Sequence, residues 1–343
     1  VSWHSIRGHD GVVATLKGSL GLGRLPHALL FVGPVGIGKR TFARKLAQSL
    51  LCETRPAAEL DPCEKCPACI QVAASTHPDL IEAAKPEDKH ELPISVIREL
   101  CDQYARTPAR GGYKVAILDD ADDLNAEASN AFLKTLEEPP PGAVLILIGT
   151  SAELQLETIV SRCQVFRFDP LTASDIALLL VEQGIAQDAD DAARLAALGE
   201  GSFSRAVGLA DAELERFRRS MIDELAAEHG FDPPALAQRL QANIKQAGKE
   251  SVEQRRRANL LIGELARFFR GVLWQTAGLE PPCPDPADRR AAVALAQRLG
   301  PEDVFVLADR CIEADYHVNR RLYSPLIVES LTHDLGKLIN IRA

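Results

Sequence analysis

Hydrophobic positions along this chain follow two periods, and the place where one gives way to the other divides it. In the first half, uninterrupted apolar runs of strand length alternate with stretches of helical spacing. Residues 29–32, 113–120, 144–148 and 165–168 read as buried strands, and residues 78–82 as a shorter, edge-like one. Ile6, Val13, Leu16 and Leu20 set a short helical lead-in. Phe42, Leu46 and Leu50 predict a helix from Lys39 to Leu51 and Cys52, and Ile94, Ile97, Leu100 and Cys101 predict another over residues 94–104. A further helix runs from Asn125 to Leu136 and is stopped by Glu137-Glu138-Pro139-Pro140-Pro141-Gly142, because proline cannot continue the ladder. Residues 158–163 read as a short helix carrying Arg162. Beyond residue 170 the strand period disappears. Residues 170–210 form a small Ala/Leu-patterned helical unit, and residues 211–343 are helical throughout, with breaks at 230–234 and 280–286. Arg255-Arg256-Arg257 reads as a solvated helix face.

Composition narrows the class. At 343 residues the chain has room for two or three domains, and its 46% apolar and 25% charged content is that of a globular protein. The net charge of −9 speaks against a surface that grips nucleic acid all round, though it leaves room for a local basic patch. No apolar run approaches the ~18 residues of a membrane span, and Val1-Ser2-Trp3-His4 shows no secretory pattern, so a cytoplasmic location is expected. Eight cysteines in that setting point to metal ligands or free thiols rather than a disulfide framework.

The turn after the first strand carries the clearest chemistry. In Gly33-Pro34-Val35-Gly36-Ile37-Gly38-Lys39-Arg40-Thr41 the outer glycines bracket four residues before a lysine, between a strand and a helix. That is the pattern of a phosphate-cradling loop, in which glycine lets successive backbone N–H groups converge on a polyphosphate. The helix start adds a positive dipole end, and Lys39 adds a full charge. The residue after the lysine should carry a hydroxyl for Mg²⁺, and here it is Arg40. The strand at 113–120 ends in Asp119-Asp120, where a nucleotide-bound Mg²⁺ expects its carboxylate.

Cysteines supply a second motif. Cys52 is followed by ten residues and then by Cys63-Glu64-Lys65-Cys66-Pro67-Ala68-Cys69. Three thiols at every third position, with Cys52 as a fourth, suit tetrahedral Zn²⁺ in a closed structural site. Buried or reactive thiols are the competing reading, and His77 is a competing ligand.

These motifs, in this order, resemble the subunits of the bacterial DNA polymerase III clamp loader, within the AAA+ ATPases. The likeness rests on the phosphate loop, the cysteine insert directly after its helix, and Asp119-Asp120-Ala121-Asp122. It rests further on the string from Asn130 through Leu136-Glu137-Glu138-Pro139-Pro140 and on Ser161-Arg162-Cys163. It implies an α/β plus all-α fold. An AAA+ parallel-sheet domain would span residues 1–169 with a zinc module at 52–69, a helical lid 170–210, and a helical collar 211–343. It also implies roles. Gly33, Gly36, Gly38, Lys39, Arg40 and Thr41 would line the nucleotide, Asp119 and Asp120 the Mg²⁺, and Thr150 and Arg205 would be sensors. Arg162 would be an arginine finger acting on ATP bound by a neighbouring subunit. Implied partners are the gamma/tau and delta subunits of a hetero-pentameric ring and, through the complex, the sliding clamp and primer-template DNA.

Two kinds of subunit share these features, and the departures separate them. The ATP-hydrolysing gamma/tau motor has Thr or Ser after the lysine and Asp-Glu after the strand. This chain has Arg40 and Asp119-Asp120, so a cation stands at the metal's place and the second carboxylate is one methylene short. Thr41 is turned ~100° around the helix from position 40. The chain therefore looks like the stator-like delta prime subunit, with ATP and Mg²⁺ binding an open matter. The motor subunit and a standalone P-loop enzyme are the alternatives.

Overall fold

The uninterrupted apolar runs become the strands of one parallel sheet. In this computed structural model, residues 6–86, 89, 91–110, 112–248, 251–281, 285–320, 322 and 324–342 are described. The chain divides into two units, residues 1–179 with 200–204, and residues 180–199 with 205–343. The first unit runs α1 (Asp10–Gly21), β1 (Ala28–Val32), α2 (Lys39–Leu51), α3 (Pro67–Ala73), β2 (Leu80–Ala83) and α4 (Ile94–Tyr104). It continues through β3 (Lys114–Leu118), α5 (Ala126–Glu137), β4 (Ala143–Gly149), α6 (Glu157–Val160), β5 (Gln164–Arg167) and into α7 (Ala173–Glu182).

The sheet order is β2-β3-β4-β1-β5, and every ladder is parallel. Parallel neighbours need crossovers, so helices cover both faces, and β1, β3 and β4 are buried along their whole length. One face packs Leu30, Leu145 and Leu147 against Phe132, Ile97 and Leu100. The other carries an aromatic group in which Phe31, Phe42 and Phe168 lie with ring centroids 5.0–5.7 Å apart and His9 meets Phe168 at 4.8 Å. Each such side chain contributes ~1.5–3 kcal/mol on full burial.

Three elements depart from the sequence reading, the first being the lead-in helix, which starts at Asp10 and leaves Ile6 outside it. The edge strand starts at Leu80 instead of residue 78, because Pro78 has no N–H and Asp79 has another task. The Asp79 carboxylate, fully buried, accepts the N–H groups of Ala109 at 2.7 Å and Arg110 at 3.2 Å. Helix α6 covers only Glu157–Val160, and Arg162 stands on the tight turn after it. The chain must leave helical geometry there to reach β5 at Gln164.

The second unit holds α8 (Ala189–Gly199), most of α9 (Phe203–Gly208), α10 (Ala212–Ala226), α11 (Pro233–Gln246), α12 (Ser251–Thr276), α13 (Pro286–Ala296), α14 (Pro301–Asn319) and α15 (Ser324–Ile339). Asp211, Asp232 and Asp285 cap the starts of α10, α11 and α13 by accepting backbone N–H groups. Residues 282–284 of the expected 280–286 break lie outside the described residues. Helix α12 packs against α14 through Leu261, Leu265, Phe269, Leu307 and Cys311, all buried.

A charged cluster lies inside this helical core. Arg218 is 1% exposed; it donates to both Glu215 oxygens (2.8 and 2.9 Å) and to Asp288 at 2.7 Å. Burial works against its charge, but those carboxylates more than offset it and raise its pKa above the ordinary arginine value. Arg257, assigned to a solvated face, instead donates to Asp211 at 2.8 Å, tying α12 to the capped start of α10. Among the described residues no helix is long and apolar enough to cross a membrane.

Candidate functional site

The glycine-rich loop expected to cradle phosphate is folded as its glycines require. Gly33, Gly36 and Gly38 all have positive φ, and Gly38 caps α2. At Gly36 (φ 82°) a side chain is excluded sterically as well, since a Cβ would lie 2.3 Å from Ser202 Oγ and 2.9 Å from Ser204 Cβ. Ser202 Oγ donates to Val35 O (3.0 Å) and the Ser204 N–H to Gly36 O (3.2 Å), so residues 202–204 lie directly on the loop. His9 reaches the loop from the other side through Ile37 O at 2.9 Å.

Lys39, 7% exposed, curls back onto its own loop and donates to Gly33 O at 2.5 Å and Pro34 O at 2.7 Å. Burial lowers its pKa, against the pull of Asp122 and Asp119. Thr41 is exposed. Arg40 extends across to the acidic end of β3, with Nη1 3.5 Å from Asp119 Oδ2 and Nη2 4.0 Å from Glu82 Oε1. The donor set therefore does not fit Mg²⁺: position 40 offers no hydroxyl, and the Asp119 carboxylate already faces a cation. Asp120, in the left-handed region at φ 56°, accepts the Lys85 N–H at 3.3 Å.

Thr150, at the end of β4, gives both its N–H (2.8 Å) and its hydroxyl (2.7 Å) to one oxygen of Asp122. The other Asp122 oxygen accepts Gln155 Nε2 at 2.5 Å. Arg205 lies in the second unit, buried, with Nε 2.7 Å and Nη2 3.1 Å from the two oxygens of Glu264. Arg162 is 35% exposed at the α6–β5 turn, with Nε and Nη2 on Glu137 Oε1 at 3.0 and 2.6 Å.

The cysteines converge. Cys52 ends α2, Cys66 caps α3 and Cys69 lies within it, and the four Sγ atoms of Cys52, Cys63, Cys66 and Cys69 lie within 4.8 Å of one another. A tetrahedron of ~2.3 Å Zn–S bonds has sulfurs ~3.8 Å apart, and Cys63 and Cys69 stand at 3.9 Å. The N–H groups of Cys66 and Cys69 point at Cys63 Sγ (3.3 Å) and Cys66 Sγ (3.4 Å), the arrangement that stabilises thiolates. The Thr54 hydroxyl, with the Lys65 and Cys66 N–H groups, pulls the Cys63 thiol down to about 6. Burial and the crowding sulfurs push Cys69 well up, a conflict that a divalent cation relieves. The residues fit a closed structural zinc site, and the cation would supply charge neutralisation and a cross-link without an open coordination position. His77 is not in the set; it is buried, and its Nδ1 accepts the Asp79 N–H at 3.0 Å.

Several partners escaped the sequence reading. Asp122 lies inside the Asp119-Asp120-Ala121-Asp122 string and Glu137 inside the Leu136-Glu137-Glu138-Pro139 string, which is the available signal for each. Ser202, Ser204 and His9, all placed on the glycine-rich loop, and Glu264, placed on Arg205, have no local signal.

Comparison with known proteins agrees with this architecture. Residues 8–172 match the family described as DNA polymerase III, delta subunit. The tau subunit of Escherichia coli (strain K12) is 36% identical over 208 residues, 60% of this chain and 32% of that protein. The delta′ subunit of Pseudomonas aeruginosa (strain PAO1) is 43% identical over 137 residues, 40% of this chain and 41% of that one. The delta′ subunit of Bacillus subtilis (strain 168) is 34% identical over 186 residues, 54% and 55% of the two chains. The chain thus spans 32% to 55% of the length of these curated relatives. Over residues 8–172, just under half of its length, the chain is similar to the family described as DNA polymerase III, delta subunit, and the relatives it matches are subunits of DNA polymerase III of the delta′ and tau kind.

Proposed function

We propose that this chain is a delta prime-like stator of the DNA polymerase III clamp loader, which does not hydrolyse ATP itself and completes a neighbour's site with Arg162. The observation that carries the reading is the pairing of Arg40 with Asp119, 3.5 Å apart, at the place where a motor subunit needs a metal. A subunit with that substitution keeps a role in an ATP-driven ring through its finger. Arginine suits the task because its charge persists at any working pH and its fork matches phosphate oxygens. The partners in this reading are the gamma/tau and delta subunits of a hetero-pentameric ring, acting on the sliding clamp and primer-template DNA in the cytoplasm. One observation favours a second reading, the gamma/tau motor: the tau subunit of E. coli aligns over 60% of this chain.

Two measurements separate them. The isolated chain is expected to show negligible steady-state ATP hydrolysis, far below ~1 s⁻¹. Arg40→Thr with Asp120→Glu is the matching attempt at gain of function, and wild-type turnover at ordinary enzyme rates would establish the motor. In the reassembled loader, Arg162→Ala should leave the chain folded and incorporated. The one site it serves should slow by ~10³-fold or more, as when a trans arginine is lost in well-studied GTPases. Total DNA-stimulated hydrolysis then falls by that site's share, and Arg162→Lys recovers little. Normal clamp loading with Arg162→Ala, but failure with Lys39→Ala, would refute the stator.

A further inference from the structure

Helix α5 ends at Glu137, and Pro139 and Pro140 stop it there, so the carboxylate is fixed beside the turn that carries Arg162. A guanidinium has five N–H groups. On Arg162, Nε and Nη2 both donate to Glu137 Oε1, at 3.0 and 2.6 Å. Nη1 donates to Thr158 O at 3.0 Å and to Ser161 Oγ at 3.2 Å. Four donors are spent within the chain's own domain, and only one, on Nη2, is left for a phosphate.

We propose that Glu137 is a latch on Arg162: it docks the guanidinium on its own subunit and yields it only when a neighbour's polyphosphate comes within reach. This rests on the reading of Arg162 as a finger acting in trans. The balance of charges decides the direction of exchange. Glu137 is one carboxylate, 50% exposed, in a pair that water screens. A nucleoside triphosphate brings three to four negative charges into a closed interface, where each charge-assisted bond is stronger. The docked state therefore holds in an open ring and gives way on closure. Glu137 is a positioning residue, acting only through Arg162.

The test uses the loader reassembled from all its subunits, with this chain as wild type, Glu137→Gln, Arg162→Ala or both. Glutamine keeps the size and one acceptor oxygen but removes the charge that holds the cation. Glu137→Gln should raise DNA-independent ATP turnover roughly two- to fivefold, the range set by an exposed ion pair. The rise should appear in kcat with KM unchanged, shrink the factor by which DNA stimulates, and vanish in the double variant. Glu137→Asp should return part of the restraint. Unchanged or lowered DNA-independent turnover in Glu137→Gln, with Arg162→Ala lowering turnover as expected, overturns the latch and leaves the finger standing. If Arg162→Ala itself alters nothing, both fall together.

Discussion

Chelating the zinc proposed for the four-cysteine insert is expected to unfold residues 52–73 while the helices of the second unit keep their protection. The insert is a short 3₁₀ turn and the seven-residue α3, with Leu60, Pro62, Ala68 and Val72 among its buried apolar side chains. So small a core cannot offset the ordering of some twenty residues at ~1–2 kcal/mol of backbone entropy each. Four converging sulfurs and one cation can, since zinc-finger peptides gain ~10–16 kcal/mol of apparent binding free energy at neutral pH. What remains without metal is a set of tethers: the Lys45–Glu64 ion pair, Gln48 on Cys69 O at 3.0 Å, and Arg110 on Glu53 and Gln71 at 2.6 and 2.9 Å. Protons compete with the metal for sulfur, so retention should weaken as pH falls. Hydrogen exchange with and without chelator reads the local unfolding. Elemental analysis should find one zinc per chain in protein purified without chelator, and finding none would exclude the site. Cys69→Ser should lose the metal outright.

Arg218→Ala should be the most damaging single substitution in the helical unit. It leaves the carboxylates of Glu215 and Asp288 facing each other without the cation that bridges α10 and α13. Removing one member of a buried ion pair costs ~3–5 kcal/mol, because the partner charges stay buried and uncompensated. Its neighbour provides the control. Arg219 also reaches Glu215 and Asp285 but is 42% exposed, and Arg219→Ala should cost ~1 kcal/mol or less. Denaturant titration followed by helical circular dichroism gives both values. Equal losses in the two variants would show that the cluster acts by surface charge instead.

The fold was legible wherever a single period ruled a segment. Residues 94–104 come out as α4 with both ends as expected, and the helix from Lys39 to Leu51 does as well, because apolar spacing and a glycine or proline before each start agree. The loop and the cysteine set were legible because their chemistry needs fixed local spacing. What the sequence hid are pairings between distant residues. Glu264 meets Arg205 across 59 positions, and a lone carboxylate within a helical pattern reads as solvated until packing buries it. Asp122 has the same difficulty over 28 positions, since only the parallel placement of β3 beside β4 brings it to Thr150. The edge strand shifted for a comparable reason, as nothing local says that Asp79 will hold the turn before β3.

The strand order β2-β3-β4-β1-β5 has a consequence for how damage spreads through the first unit. The cysteine insert is anchored on the β2 side, where Arg44 joins the carbonyls ending α3 to Glu82. Arg162 stands at the entry to β5, the opposite edge. Four interstrand steps of ~4.8 Å separate the two edges by ~19 Å of rigid sheet. Losses at sites so far apart sum with little cross-talk. A chain lacking both a cysteine and the arginine should therefore show the product of the two separate defects, so that damage at the cysteine insert and damage at Arg162 act as independent lesions of one polypeptide.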